Sequence, residues 1–221
     1  MIPKISDLYN LGATIARDIF DGKTYPWEVL DDIKSFIIAR GKQLPQDKFD
    51  EIAENVWVAK SAKIAPTAFI GSPCIIDENA EIRHCAFIRG SAIVGKNTVV
   101  GNSVELKNCI LFDNVQVPHF NYVGDSVLGE YAHMGAGSVT SNVKSDKTDV
   151  AIKSDSDKIN TKRYKCGAFL GDNVEVGCNS VLNPGTVIGR NSNVYPTSCV
   201  RGVIPPNSIF KAPGNIVKKN G

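Results

Sequence analysis

The chain has 221 residues, a net charge of +2 and a hydrophobic content of 43%, which are ordinary values for a globular protein. The near-neutral charge excludes the strongly basic surface of a nucleic-acid-binding protein, and no run of about 18 apolar residues indicates a membrane span. Among the apolar residues, 22 Val and 22 Ile stand against nine Leu. Because β-branched side chains favour extended backbone and Leu favours helices, this ratio excludes a helical bundle.

The first fifty residues carry a helical pattern. Apolar residues recur at helical spacing in two stretches, at Ile5, Leu8, Leu11, Ile15 and Ile19, then at Trp27, Leu30, Ile33 and Ile37. Pro26 suits a first helical turn and Gly41 a helix end, so two amphipathic helices are predicted within residues 5–40. We expect residues 1–50 to be a helical cap and connector, with the helices covering the open first coil of the next domain.

A six-residue repeat follows. One aliphatic or aromatic residue recurs every six positions, at Val58, Ile64, Ile70, Ile76, Ile82, Ile88, Val94, Val100, Leu106 and Phe112. Small residues such as Ala68, Ala80 and Ala92 lie two positions earlier, on the same side of an extended strand. The hairpins of a β-sandwich would lose this phase because their loops vary in length, whereas stacked coils keep it. We therefore predict an all-β solenoid over residues 51–213, a triangular prism with three hexads per coil.

The repeat is interrupted between Phe112 and Leu170 and then continues to Val200. Because the coils of a solenoid are scaffold, functional residues are expected where the repeat fails. This interval holds His119 and His133, and imidazole is the side chain best suited to proton transfer near neutral pH. It also holds a polar segment, residues 143–165, with seven basic and four acidic residues, which predicts a functional or a disordered loop. Residues 214–221 are a short basic tail.

The six cysteines contain no C-x-x-C pair, so a zinc knuckle is not predicted. The N-terminal sequence MIPKISDLYN has no basic segment followed by an apolar run, which a secretory signal would need. We interpret the cysteines as free thiols and expect a cytoplasmic protein.

The hexad spacing resembles the hexapeptide-repeat family, whose fold is a left-handed parallel β-helix. Three segments, GNSVELKN, PHFNYVGD and GAGSVTSN, resemble the C-terminal acetyltransferase half of bacterial N-acetylglucosamine-1-phosphate uridyltransferases, in the same order and with nearly the same spacing. The resemblance covers about residues 53–217 and is strongest from Arg89 to Asn142. It implies an acetyl-CoA-dependent transfer of an acetyl group to the amine of an amino sugar phosphate or nucleotide sugar, in a homotrimer. Residues 1–50 leave no room for a uridyltransferase domain, so pyrophosphorylase activity is not expected.

For the sugar substrate, the resemblance implies that Arg89 and Lys107 hold the phosphate and that Tyr122 contacts the sugar nucleotide or phosphate. An asparagine of the family that helps to bind the sugar is His133 here. Arg89 and Lys107 are three hexads apart in the sequence, so coils of three hexads would place the two cations on one face, where both can meet a phosphate.

For the reaction itself, the resemblance implies that His119 is the general base and that Asn142 positions the amino group. Ala136 and Gly137 lie where backbone groups meet the thioester, and a backbone N–H in this segment can stabilise an oxyanion. Lys211 stands where the family has an arginine near the phosphates of coenzyme A. The Asn-Tyr pair of the family is Asn-Val in this chain, and the loop that follows it is longer.

Two other classes of function share the predicted fold. A metal lyase of the gamma-class carbonic anhydrase type uses three histidines, and this chain has His84, His119 and His133. Those enzymes place two of the ligands close together, whereas His119 and His133 are far apart in the sequence, so no metal site is predicted. A non-catalytic module that binds a sugar nucleotide or serves assembly would explain the altered asparagine and tyrosine positions, and binding of coenzyme A separates it from a transferase.

Overall fold

The computed structural model describes residues 1–219 and is a left-handed β-helix with a helical N-terminal segment and one inserted β-hairpin. The predicted all-β solenoid is confirmed. Parallel strands stack into three faces of a triangular prism, because neighbouring coils pair strand on strand. None of the helices in the described residues is long and apolar enough to span a membrane.

The strands are short, and two of them bend around the corner between the first and second faces. The first face is formed by Phe69–Ile70, Phe87–Ile88, the starts of Glu105–Leu111 and Tyr122–Leu128, Val139–Thr140, Val181–Leu182 and Cys199–Val200. The second face is formed by Phe49–Ala53, Val56–Ala59, Cys74–Ile76, Ala92–Val94, the ends of Glu105–Leu111 and Tyr122–Leu128, Ala168–Leu170, Thr186–Ile188 and Val203–Ile204. The third face is formed by Lys63–Ile64, Glu81–Ile82, Val99–Asn102, Gln116–His119, His133–Met134, Glu175–Val176, Asn193–Val194, Ser208–Ala212 and Asn215–Lys218.

The hexad aliphatic residues fill the inside of the prism, and most of them are fully buried. Turns between the faces recur with Asn in the left-handed region, as at Asn79 (φ 57°) and Asn173 (φ 57°). Asn tolerates this conformation better than other non-glycine residues, because its short polar side chain can bond to nearby backbone. The last strand, Asn215–Lys218, pairs antiparallel with Ser208–Ala212, so part of the predicted basic tail joins the third face. The final two residues of that tail lie outside the described residues.

The N-terminal segment lies along the second face of the prism. It consists of the α-helices Ile5–Leu8 and Ile33–Gly41 and the 3-10 helices Arg17–Phe20 and Pro26–Val29. Its aromatic residues pack onto the prism, with the Tyr9 and Phe112 ring centroids 5.1 Å apart and those of Trp27 and Phe169 6.0 Å apart. The second face is therefore buried on both sides, which explains why its strands are continuous apolar runs such as Cys74–Ile76.

The prediction that the helices cover the open first coil is wrong, because they lie along the second face instead. The end of the second α-helix reaches that coil, where a Cβ on Gly41 would lie 2.1 Å from an atom of the Trp57 ring. The antiparallel pair Phe49–Ala53 and Val56–Ala59 begins the prism there. The two long predicted helices are also broken into short pieces, because the apolar residues of this segment follow the surface of the prism rather than one straight helical stripe.

The hexad phase slips by one position after Lys107. Leu106 pairs with Ile88, and these two residues are three full hexads apart in the sequence. Cys109 pairs with Ala92, and these two are one residue closer in the sequence than three hexads. Phe112 is consequently displaced from the inward position that the repeat predicts, and it packs outward against Tyr9 and Phe20. The prism itself continues through the interruption, so the irregular sequence marks a shortened corner and not a gap between coils.

Residues 143–165 contain a two-stranded antiparallel hairpin, hereafter the inserted hairpin, formed by Val150–Lys153 and Lys158–Arg163. The coil that contains it is much longer than the usual three hexads, since Val127 pairs with Phe169 across the whole insertion. Val150 and Ile152 are fully buried, and Arg163 forms an ion pair with Asp31 of the N-terminal segment. The segment predicted as a functional or disordered loop is therefore an ordered, packed element.

Asp77 is a buried carboxyl within the prism and provides a test of the fold. Its side chain is 1% exposed, one oxygen accepts the Glu78 N–H at 2.7 Å, and the other has no partner among the described residues. Burial raises the pKa of Asp77 to about 6. The folded state thus favours the protonated carboxyl, and the resulting stability, present at about pH 4, is lost as the pH rises through 6.

The Asp77→Asn substitution should abolish this loss of folding stability between pH 4 and pH 7. The variant and the wild type should be of similar stability at pH 4, and the variant should become more stable by about 2 kcal/mol at pH 7. Chemical denaturation at both pH values measures the difference, with Asp47→Asn at an exposed position as the control. A stability difference that does not change between pH 4 and pH 7 would contradict the assignment.

Candidate active site

The two predicted phosphate-binding cations lie on adjacent coils, as their spacing requires. The Arg89 N–H donates to the carbonyl of Leu106 at 2.9 Å, which places Arg89 beside Lys107. Each cation is paired with a carboxylate: Arg89 Nη1 lies 2.9 Å from Glu105 Oε1, and Lys107 Nζ lies 3.2 Å from Asp125 Oδ2. The four groups together carry no net charge, so a phosphate would have to share these cations with the carboxylates.

Asp125 organises the corner between the first and second faces. Its buried carboxylate accepts bonds from Lys107 Nζ and from the side-chain amides of Asn108 and Asn142. The Asn142 amide also donates to the Tyr122 hydroxyl at 3.2 Å. Burial raises the pKa of Tyr122 and the Asp125 carboxylate adds to this, so the hydroxyl stays protonated at neutral pH. Three of the predicted residues, Lys107, Tyr122 and Asn142, are thus held in one network.

His119 lies at the opposite edge of the first face, at the end of the strand Gln116–His119. Its ring is exposed, and its backbone is held by the buried side chain of Asn121. The His119 N–H donates to Asn121 Oδ1 at 3.1 Å, while Asn121 Nδ2 donates to the carbonyl oxygen of Gly135 at 2.8 Å. The Gly137 N–H in turn donates to the carbonyl of His119 at 3.0 Å. The backbone of His119 is therefore fixed directly beside the Gly135–Ser138 turn.

That turn presents one free amide. The Ser138 N–H bonds to the carbonyl of Gly135 at 3.1 Å, and Gly137 has φ of 72°, a value that glycine adopts readily at the third position of a type II turn. The N–H of Gly135 bonds to Val176 and that of Gly137 to His119. Within residues 1–219 the Ala136 N–H has no such acceptor. Of the two predicted thioester-contacting residues, Ala136 can therefore donate to an oxyanion, whereas the Gly137 N–H is already used.

A groove runs from this turn along the corner towards the C-terminal coils. Its volume is about 660 Å³, and its walls include Gly135, Gly177, Cys178, Tyr195 and Pro196. The ionisable side chains of His133, Glu175 and Lys219 also line it, so the groove offers an extended ligand both apolar contacts and polar partners.

The two remaining predicted residues lie on the third face beside this groove, away from the network around Asp125. His133 is on the third face, where its Nδ1 lies 2.6 Å from Glu175 Oε2 and its strand pairs with Gln116. Lys211 is near the C-terminal end of the same face, with Nζ 5.9 Å from the centre of the Tyr195 ring. The structure does not bring these residues to Lys107, Tyr122 or Asn142, and their sugar-binding and coenzyme-binding roles stay predictions.

Asp125 and Asn121 are the residues that the sequence reasoning missed. Both lie within the H-x-x-Y-x-G-D segment, and both are buried polar side chains whose bonds join separate parts of the site. The signal was their position between the apolar residues Val117, Val123 and Val127, since a polar residue inside a solenoid requires partners.

The three histidines do not converge. His84 Nδ1 bonds with the Thr67 hydroxyl at 3.0 Å, His133 is paired with Glu175, and His119 ends a different strand. Among the described residues, no group of three His, Cys, Asp or Glu side chains is arranged to hold a metal ion. The six cysteines are free, with Cys74, Cys109 and Cys166 buried and the other three exposed.

Comparisons with known proteins agree on the family and fold. Residues 70–191 match the family model described as the GMPPB C-terminal domain. A bifunctional sugar-1-phosphate nucleotidylyltransferase/acetyltransferase from Sulfurisphaera tokodaii is 34% identical over 108 residues, which is 49% of this chain and 27% of that protein. The bifunctional protein GlmU from Methanocaldococcus jannaschii is 32% identical over 116 residues, 52% of this chain and 28% of the relative. The matched segment is thus about a quarter of these curated relatives.

Among solved structures, the polySia-specific acetyltransferase NeuO superposes with a TM-score of 0.52 at 16% identity. The superposition covers 72% of this chain and 80% of that one. At this identity the likeness supports the fold, the left-handed β-helix, and the predicted resemblance to hexapeptide-repeat proteins is confirmed.

Proposed function

Since this chain belongs to the family described as the GMPPB C-terminal domain, we propose that it is an acetyltransferase acting on a sugar substrate. The donor is acetyl-CoA, and the acceptor is the amine of an amino sugar phosphate or a nucleotide sugar. The acetyltransferase named among the relatives supports this reaction class. The chain is proposed to work in the cytoplasm, where its free thiols would stay reduced.

The observation that carries the proposal is the attachment of His119 to the Gly135–Ser138 turn. The bond from the Gly137 N–H to the His119 carbonyl fixes the distance between the strand bearing the imidazole and the unbonded Ala136 N–H. An N-acetyl transfer needs both groups, a base for the amine proton and a donor for the thioester oxyanion. Their attachment to one pair of coils supports a transferase over a module that only binds.

In the proposed reaction, the amine nitrogen attacks the thioester carbon while His119 removes a proton from the attacking nitrogen. The C–N bond forms as the carbonyl oxygen becomes an oxyanion, to which the Ala136 N–H donates. When this intermediate collapses, the C–S bond breaks and the leaving thiolate takes the proton from the imidazolium. The groove beside Gly177 and Pro196 would hold the arm of coenzyme A that carries the thioester.

The acceptor is proposed to lie on the network around Asp125. Asn142 and Tyr122 supply amide and hydroxyl groups for the sugar, and Lys107 with Arg89 supplies cations for a phosphate. Arg89, Lys107 and Asn142 lie at the corner between the first and second faces, whereas His119 lies at the corner between the third and first faces. A homotrimer is therefore proposed, in which the cluster on one prism faces that on its neighbour and a complete site forms between subunits.

The proposal is tested by incubating the protein with acetyl-CoA and a panel of amino sugar phosphates and nucleotide-linked amino sugars. Acetylated product should be followed by mass spectrometry, because Cys85, Cys178 and Cys199 are exposed and would react with a thiol reagent. We expect one acceptor to gain an acetyl group at a rate well above the enzyme-free reaction. Failure with every acceptor, together with sugar-nucleotide binding and no coenzyme A binding by calorimetry, would instead favour a non-catalytic module.

A further inference from the structure

The inserted hairpin is built against the last coils of the prism. A Cβ added to Gly185 would lie 2.8 Å from Val150 Cγ1, and one added to Gly202 would lie 2.8 Å from the Lys153 carbonyl oxygen. Val150 and Ile152 are fully buried there. The hairpin and the coil corners thus form the two walls of one cavity.

The cavity between these walls has a volume of about 540 Å³, within the range of ligand pockets in proteins. Its lining carries four basic side chains and one acidic side chain: Lys144, Lys153, Lys158, Arg201 and Asp149. Polar and backbone groups such as those of Asn160 and Pro184 complete it. The cations come from both walls, since Arg201 is on a coil corner and the lysines precede or lie in the hairpin.

The charge of this lining is largely uncompensated. Lys144 pairs with Asp146 at 3.1 Å, but within residues 1–219 Lys153, Lys158 and Arg201 form no ion pair. Arg89 and Lys107 differ, because each already has a carboxylate partner. These three side chains are exposed, so water screens their mutual repulsion, and an anion between them would gain charge-assisted hydrogen bonds from cations that have no other charged partner.

We propose that this cavity binds a diphosphate group, with Lys153, Lys158 and Arg201 as its cationic contacts. Three cations match the two to three negative charges of a diphosphate better than a neutral or singly charged ligand. Coenzyme A and nucleotide sugars both carry this group, so either could be the ligand. The proposal concerns binding only and stands whether or not the chain transfers an acetyl group.

Inorganic pyrophosphate titrated into the full chain in a calorimeter is the first test. We expect saturable binding whose affinity falls by about tenfold or more in Lys153→Gln/Lys158→Gln and in Arg201→Gln, because each change removes a charge-assisted hydrogen bond. The matched control is Lys162→Gln, which removes one charge from the same hairpin outside the cavity lining and should change the affinity less than about twofold. No binding by the wild type, or an equal loss in the control, overturns the proposal.

The source of the diphosphate is identified by repeating the titrations with coenzyme A and with UDP-N-acetylglucosamine. If the Lys153→Gln/Lys158→Gln variant loses affinity for coenzyme A alone, the cavity belongs to the donor, and if it loses affinity for the nucleotide sugar alone, to the acceptor. Unchanged affinity for both, with pyrophosphate binding lost, would mean that the site takes another diphosphate. Unchanged affinity for all three ligands would contradict the site.

Discussion

Replacing His119 with Ala should lower kcat for acetyl transfer by about 10²- to 10⁴-fold, while the affinity for coenzyme A stays close to that of the wild type. The imidazole is proposed to remove the amine proton in the transition state, and positioned general bases contribute a factor of this size. Since the His119 side chain is exposed, its loss should leave the fold intact. The measurement is steady-state kinetics with the best acceptor of the panel, followed by mass spectrometry.

The matched control for this prediction is His84→Ala. His84 is also an exposed histidine at a coil corner, and its ring bonds with the hydroxyl of Thr67. Its replacement should change kcat less than about twofold, because His84 has no proposed contact with the substrates. Full activity in His119→Ala, or an equal loss in both variants, would show that His119 is not the base.

Asp125→Ala should destabilise the protein by about 3 kcal/mol and also weaken acceptor binding. The carboxylate is 2% exposed and accepts bonds from Lys107, Asn108 and Asn142, so its removal leaves three donors without their acceptor. Breaking a fully buried ion pair costs about 3 to 5 kcal/mol, and we take the lower value because the Lys107 side chain is 26% exposed and can be hydrated.

Chemical denaturation measures the stability, and the change in KM for the acceptor measures the second effect. Glu105→Gln is the control, since the Glu105 carboxylate pairs with the exposed Arg89 and should contribute little to stability. Asp125→Asn should recover part of the lost stability, because its amide oxygen can still accept one bond. A stability loss no larger than that of Glu105→Gln would contradict the central place of Asp125.

The scaffold could be predicted from the sequence because it depends on a local, repeated rule. Every coil places a branched residue such as Ile82 or Ile88 inward at a fixed spacing, and stacking requires each coil to resemble the previous one. The same reasoning failed at Phe112, since a single missing residue after Lys107 turns the following side chain outward. Nothing in the local pattern at that point distinguishes the two directions.

The site could be predicted in part. The three-hexad spacing of Arg89 and Lys107 predicts that they lie side by side on adjacent coils, and the backbone bond from Arg89 to Leu106 confirms this. The carboxylate partners of these cations could not be foreseen. Asp125, for example, meets Lys107 because the two residues lie on adjacent coils that stack in the prism. The pairing of His133 with Glu175 could likewise not be foreseen, because these two residues lie far apart in the sequence and meet only when their coils stack.

The excess of Val and Ile, the hexad spacing and the order of the H-x-x-Y-x-G-D and GAG segments are properties of the sequence alone, and they determine the β-helix and the family. The tertiary structure decided three further matters: the N-terminal segment covers the second face, the amide of Ala136 is the free one, and the inserted hairpin encloses a basic cavity. The physical reason is that the first set depends on spacing along the chain. The second set depends on contacts between residues far apart in the chain, such as Val150 with Gly185, whose energies no local pattern records.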